Sequence, residues 1–237
     1  MSIDGLTTSL AQVQAISFDL DDTLWDCAPA IANAENALFE WHNRVTPAIT
    51  ELHTQHTLQD YRTEFRKHNP ELKGCVTAMR MAGLRKLLNA FDYSESLAAE
   101  GFEVFYKARS QVELYPGALD MLKELKQSFR LAAITNGNAD LHSIGISMYF
   151  DRIYAANLTL LEKPAPDMFN LCLSEMDIPP NALLHIGDNP VTDIFGAQST
   201  GVQTLWFNRY NETWPDHLRP PDFEVSTLSD IAALFQR

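Results

Sequence analysis

The chain has 237 residues, 46% of them hydrophobic, with 31 acidic against 18 basic side chains and a formal charge of −13 at pH 7. That length can bury one large core or two smaller ones, and the acidic balance excludes a nucleic-acid surface built on a basic stripe. No stretch approaches the ~20 apolar residues of a membrane span, and three scattered cysteines in no C-x-x-C spacing exclude a disulfide framework or a zinc site.

The chain opens with "MSIDGLTTSLAQVQ", which has neither a basic n-region nor a long apolar block and reads as no signal peptide. A soluble, cytoplasmic protein is expected. "AISFDL" (15–20) is short and apolar, as a strand buried on both faces of a parallel sheet should be. Residues 24 to about 114 then hold only helical periodicity, in "IANAENALFEWHN", "LQDYRTEFRKH", "CVTAMRMAGLRKLLNAF" and "ESLAAEGFEVFYKA". So long an interval between two strands is too large for a loop. It predicts an inserted helical domain over 25–112, with the catalytic core formed by 1–24 and 113–237. "ELYPGA" (113–118), with its Pro-Gly turn, marks the return.

From there strand and helix patterns alternate. The strands are "RLAAIT" (130–135), "RIYAAN" (152–157), "ALLHIG" (182–187) and "VQTLWF" (202–207); the helices lie in "GALDMLKELKQSF", "DLHSIGI", "PDMFNLCLSEM" and "VTDIFGAQST". Such alternation predicts βαβ units, a parallel sheet and right-handed crossovers. The fold class expected is α/β, a Rossmann-like parallel sheet carrying an all-α insertion.

The polar residues cluster at the strand ends. The first strand ends in Asp19 and Asp21, the second in Thr135, Asn136, Gly137 and Asn138; Lys163 follows the third, and the fourth runs into "GDNPVTD" with Asp188, Asn189 and Asp193. Ligands of open parallel sheets bind outside the carboxyl ends of the strands. Two carboxylates about 4 Å apart repel by roughly 4 kcal/mol at an effective dielectric of 20, so the acidic set calls for a cation. Oxygen ligands with a lysine beside them for a phosphate suit Mg²⁺ better than zinc or copper.

"DLDDT", "ITNGN", "EKPAPDMF" and "IGDNPVTD", in that order and each at a strand end, resemble the four motifs of the haloacid dehalogenase superfamily. The insertion after the first motif falls where that superfamily places a helical cap. The resemblance implies that Asp19 is a nucleophile and Asp21 a general acid/base, and that Thr135, Asn136 and Lys163 hold the phosphoryl group. Asp19, Asp188 and the backbone carbonyl of Asp21 would bind Mg²⁺, with Asp193 and Asn189 supporting these ligands or joining them. The activity implied is hydrolysis of a small phosphorylated metabolite through an aspartyl-phosphate. Phosphomutases and sugar-phosphate phosphatases share the motifs. Dehalogenases of the superfamily lack an acid at the position of Asp21, and phospho-receiver modules lack so large an insertion.

Each residue also has a plainer reading. Asp22 should point away from Asp19 and Asp21 and cap a turn. Thr135 alone could end a strand, Lys163 could be an exposed lysine, and Asp188 or Asp193 could cap the helix near Val191. The seven histidines show no metal-ligand spacing and read as surface or core, and Trp206–Phe207 reads as core. In the insertion, Thr77 and Arg80 share a helical face by i, i+3 spacing. Arg80 either contacts the non-phosphate part of a substrate or lies on the surface. The "VTAMR" helix with "AITNGNA" is similar to phosphatases of flavin mononucleotide and related ribityl phosphates, with nucleotidases as rivals.

Overall fold

A computed structural model describes residues 10–235; residues 1–9, read above as carrying no leader, lie outside them. Six strands form one parallel sheet in the order β3-β2-β1-β4-β5-β6: β1 (Ala15–Phe18), β2 (Arg130–Thr135), β3 (Arg152–Ala155), β4 (Leu183–Gly187), β5 (Gln203–Phe207) and β6 (Phe223–Val225). The chain builds outward from β1 to β3 and then restarts on the other side of β1 with β4. The strand order therefore reverses between β1 and β4, which is where ligands of such sheets bind.

Side-chain alternation sorts the strand residues onto the two faces of the sheet. Ile16, Phe18, Leu131, Ala133, Leu184 and Ile186 share one core with the helices α6 (Ala118–Leu125) and α9 (Leu228–Ala233). Ala15, Ala132, Ile134 and Leu183 face the other way, against α8 (Asp167–Met176). All these strand residues are fully buried, each large one contributing roughly 1.5–3 kcal/mol. Between α6 and α8 a single turn, α7 (Leu141–Ile144), follows β2.

Among the described residues no strand lies between Phe18 and Arg130. The interval holds α1 (Cys27–Val45), α2 (Pro47–Leu52), α3 (Gln55–His68), α4 (Val76–Ala90) and α5 (Leu97–Arg109). Asp26 caps α1 by accepting from Ala28 N at 3.0 Å, and Thr54 caps α3 by accepting from Thr57 N at 3.2 Å. The helices bury a core of their own around Leu38, Trp41, Leu84, Leu88 and Phe105. Gly101 is what lets α5 lie on the Trp41 ring, since a Cβ there would come within 2.9 Å of it. The two connections to the sheet touch: Tyr115 N donates to Leu24 O at 2.8 Å, and Trp25 bridges to Leu114. Gly117 takes φ +84° in the return turn, a conformation that suits glycine.

Several expectations are corrected. β1 ends at Phe18, two residues before the predicted end. β6, α2 and α9 were not expected, because runs of three to six residues carry too little periodicity. The helix expected in "VTDIFGAQST" is a π-helical turn over Pro190–Phe195 followed by one α turn, Gly196–Gln198.

Candidate active site

Four strand ends supply the site. Lys163, only 2% exposed, sends its Nζ to Asp19 Oδ1, Asp193 Oδ1 and the Ile134 carbonyl, each at 2.6 Å. It is not the exposed lysine of the plainer reading. Asn136 holds the lysine's backbone in both directions, accepting from Lys163 N at 2.7 Å and donating to Lys163 O at 2.9 Å. The Asn136 side chain is thus turned onto the lysine loop and places Lys163. Thr135 is buried, and its Oγ1 accepts from Gly137 N at 2.9 Å, leaving the hydroxyl proton to donate.

Asp193 is fully buried in the π-helical turn, and its Oδ2 accepts from Asn189 N at 2.9 Å. A Cβ at Gly187 would collide with the Asp193 carboxyl, so the end of β4 needs glycine for close approach. Asn189, not Asp188 or Asp193, is the cap of that turn: its Oδ1 accepts from Val191 N and Thr192 N. That oxygen is thereby assigned to the cap and not to a metal. Asp188 accepts from Thr23 Oγ1 at 3.3 Å, and its backbone carbonyl accepts from Trp206 Nε1 at 2.6 Å.

One carboxylate oxygen each from Asp19, Asp188 and Asp193 lie within 4.8 Å of one another. Burial pushes Asp19 well above the carboxylate range; Lys163 pulls it down, while Asp193 and Asp188 push it further up. Burial, then Asp193 and Asp22, raise Asp188 to about 7. Asp193 differs: burial opposes its ionisation, yet Lys163 and His185 hold it well below the usual range. Burial pulls Lys163 down, but Asp19 and Asp193 hold it above its ordinary value. One lysine therefore compensates one carboxylate, and two remain short of positive charge. An all-oxygen donor set in that condition fits a hard divalent cation.

Asp21 lies beyond the strand. Its carboxylate accepts from Trp25 Nε1 at 2.8 Å and from Arg109 Nη2 at 2.5 Å (Oδ1) and 2.6 Å (Oδ2). A Cβ at Gly137 would collide with Asp21 Oδ2. Asp22 accepts from Cys27 N at 2.8 Å from a left-handed backbone, φ 62°. It does cap a turn, but it also borders the site and so does not point wholly away.

These residues enclose a cleft of about 160 Å³ bordered by Asp19, Asp21, Thr135, Lys163, Asp188 and Asp193. A second cavity of about 470 Å³ lies among the helices, walled by Phe39, Tyr61, Phe65 and Phe105 with Arg62 and Arg80. Asp21, Asn136 and Gly137 border both. Arg80 is not a surface arginine: its side chain is 17% exposed, pairs with Glu35 at 3.0 Å and stacks 3.4 Å from the Phe105 ring centre. Glu35 also pairs with Arg62 at 2.8 Å. Thr77, on the same helical face, accepts from Asn138 Nδ2 at 3.1 Å and so ties α4 to the end of β2.

Sequence reasoning missed four contributors. Arg109 and Trp25 stand in no motif of the sequence, and Trp206 reads as core, although both indoles spend their N–H on the site. His185 sits in an apolar strand, where its Nδ1 lies 2.9 Å from Ser17 Oγ and its Nε2 3.6 Å from Asp193. A polar residue inside an otherwise apolar strand was the one available signal.

Residues 13–201 match the family model of haloacid dehalogenase-like hydrolases. The chain is 31% identical to the 5-amino-6-(5-phospho-D-ribitylamino)uracil phosphatase YigB of Escherichia coli, over 95% of this chain and 97% of that one. It is 27% identical to human N-acylneuraminate-9-phosphatase, covering 96% and 95%. A crystal structure titled 2-haloacid dehalogenase, from Pseudomonas syringae pv. tomato DC3000, superposes with a TM-score of 0.86 at 36% identity, covering 94% and 97%. The chain belongs to the haloacid dehalogenase-like hydrolases, and among them it is a phosphoric monoester hydrolase.

Proposed function

From that membership we propose a Mg²⁺-dependent phosphatase that cleaves a small phosphate monoester through an aspartyl-phosphate. The observation that carries this reading is the position of Asp21 where the two cavities meet. A halide leaves without a proton, whereas the alkoxide of a phosphoester needs one, and Asp21 stands between Asp19 and the space for the leaving group. This favours a phosphatase over a dehalogenase.

Asp19 attacks phosphorus with its Oδ2, its Oδ1 being engaged by Lys163. The P–O bond to the leaving group breaks, and Asp21 gives its proton to that oxygen. The ionised Asp21 then takes a proton from water, whose oxygen attacks the acyl phosphate, freeing inorganic phosphate and restoring Asp19. The Lys163 ammonium and Thr135 hydroxyl donate to phosphoryl oxygens. Asp19, Asp188 and the backbone carbonyl of Asp21 would hold the cation, with Asp193 fixing Lys163. When bound, the cation neutralises charge on those carboxylates and on the transferring oxygens.

We delimit the cap as residues 25–112 and assign selectivity to its cavity. A volume of about 470 Å³ with aromatic walls and an Arg62–Glu35–Arg80 cluster suits a ribityl phosphate ending in a heteroaromatic ring, the compound type in the name of the Escherichia coli relative. The three cysteines, all free, support a reducing, cytoplasmic setting; no helix among the described residues is long and apolar enough to cross a membrane. The test is phosphate release from a panel of ribityl phosphates, flavin mononucleotide, nucleoside monophosphates and sugar phosphates with Mg²⁺, alongside halide release from 2-chloropropionate. Mg²⁺-dependent phosphate release, strongest for ribityl compounds, is expected. Halide release without phosphate release would overturn the reading, and a sugar bisphosphate isomerised without net hydrolysis would replace it with a phosphomutase.

A further inference from the structure

Arg109 ends α5, in the helical insertion, yet its guanidinium lies on a carboxylate of the sheet edge. It is 1% exposed, one of the largest fully buried side chains in the molecule. Burying a guanidinium is costly unless the charge is paired. Its Nη2 reaches both oxygens of Asp21, while its Nη1 is buried with no hydrogen-bond partner among the described residues. No other ion pair of Arg109 is found among them, so Asp21 is the group this buried charge serves. Trp25 Nε1, donating to Asp21 Oδ1, completes the hold.

We propose that Arg109 is a positioning residue for the reaction: from the cap, it fixes the Asp21 carboxyl at the junction of the two cavities, facing the oxygen of the leaving group. This rests on the phosphatase reading above. An aspartate has two side-chain torsions, and at the end of a loop nothing else in its own segment would set both. In the ionised form one nitrogen bonds both oxygens and the indole bonds Oδ1; when Oδ2 carries the proton, Oδ1 keeps both donors, and with them the direction of the carboxyl. The proton leaves this carboxyl in the first half-reaction and returns to it in the second, so one position must serve both. Gly137 adds to the constraint: a Cβ there would collide with Asp21 Oδ2 and come within 3.4 Å of Arg109 Nη2, so glycine leaves room for the pair. Because Arg109 belongs to the cap and Asp21 to the sheet, the arrangement also makes the acid's aim depend on the cap being seated. A lysine carries the same charge but offers its nitrogen on a flexible stem, without the rigid guanidinium plane that sets the direction of the Nη2 donors.

The test compares Arg109→Ala and Arg109→Lys with the unaltered chain on two substrates. With an alkyl phosphate, whose leaving oxygen needs the proton, kcat should fall by about 100-fold or more, within the range assigned to general-acid catalysis, with KM changed little. With p-nitrophenyl phosphate, whose leaving group departs without help, only the water step that both substrates share should suffer, so the loss should be clearly smaller than with the alkyl phosphate. Added guanidinium ion should restore part of the alkyl phosphatase activity of Arg109→Ala and none of that of Asp21→Asn. A readout without turnover is the indole N–H resonance of Trp25, assigned with Trp25→Phe: it should shift in both Arg109 variants while the indole resonances of Trp41 and Trp214 stay in place. Equal losses on both substrates, with no rescue and with all indole resonances displaced, would make Arg109 a support of the fold and overturn the inference. No phosphate release from any compound by the unaltered chain would instead overturn the phosphatase reading, and this inference with it.

Discussion

The two cavities that meet at Asp21 are built on opposite principles. The cleft at the sheet edge is small, about 160 Å³, and polar, with Lys163 and Asn136 tying its strand ends together by short bonds. Lys163 alone joins the ends of β1 and β2 and the π-helical turn after β4. The cavity among the cap helices is about three times larger, and apart from the Arg62–Glu35–Arg80 cluster its walls are mostly apolar or aromatic. Charges in the cleft are set by each other, so moving one disturbs all. Contacts in the cap are mostly additive surface, so removing one costs a bounded amount. On the proposed reading, that division keeps the chemistry in the cleft and the selectivity in the helices.

The largest effect should come from the cleft. On the proposed mechanism Asp19→Asn removes the nucleophile, since an amide attacks phosphorus poorly, and turnover should vanish for every substrate, large or small. Intact-protein mass spectrometry after acid quench should show a phosphoryl adduct on the unaltered chain and none on this variant. An adduct that survives in Asp19→Asn would move the nucleophile elsewhere and dissolve the distinction between the cavities. Asp21→Asn should be less severe, about 10²–10⁴-fold, and should depend on the leaving group. A uniform loss on p-nitrophenyl and alkyl phosphates would remove Asp21 from the boundary between chemistry and selectivity.

The two regions were unequally legible in the sequence. The sheet could be read because a doubly buried parallel strand is a short apolar run, and because its ligand-bearing residues must follow it directly. Asp19, Thr135 and Asp188 announce themselves by following "AISF", "RLAAI" and "LLHIG". What could not be read is what each polar group spends its bonds on. Asn136 looks like a donor to phosphate and is turned onto the backbone of Lys163; Asn189 looks like a ligand and is a cap. The cap was legible only as helices. Which helical faces meet depends on packing between elements distant in sequence, so the Glu35 bridge from Arg62 to Arg80 and the reach of Arg109 to Asp21 left no local pattern.

A change within the cap should be smaller and selective. Arg80→Ala should lower kcat/KM by about tenfold, some 1.4 kcal/mol, for a substrate long enough to enter the cap. Acetyl phosphate, which fits within the cleft, should be hydrolysed almost as before. Since Arg80 also stacks on Phe105 and pairs with Glu35, the melting temperature should be recorded on the same sample. A loss shared equally by both substrates would mean that cap contacts feed into the cleft after all, and that the two regions are one.

The smallest expected effect tests whether the cap's stability can be varied without touching the chemistry. His42 lies in α1, 1% exposed, with its Nδ1 2.7 Å from Thr46 Oγ1. Burial, and then the positive charge of Arg62, lower its pKa to about 4, against 6.5 for the exposed group. The folded chain thus keeps His42 neutral at a pH where the unfolded chain would protonate it. Between pH 6.5 and about 4 the unfolded state binds the extra proton, so stability falls as the pH falls; above 6.5 both states are neutral and the term disappears. Linkage puts the loss at about 1 kcal/mol at pH 6, rising toward about 3 kcal/mol near pH 4. Urea midpoints at pH 8 and pH 6 should therefore differ more in the unaltered chain than in His42→Gln. At pH 8 the two proteins should hydrolyse acetyl phosphate alike, because His42 borders the cap cavity and not the cleft. An unchanged pH dependence in the variant would assign the acid sensitivity to His185 of the cleft, whose pKa burial also lowers. The cap would then be the passive region, its stability set from the sheet below it.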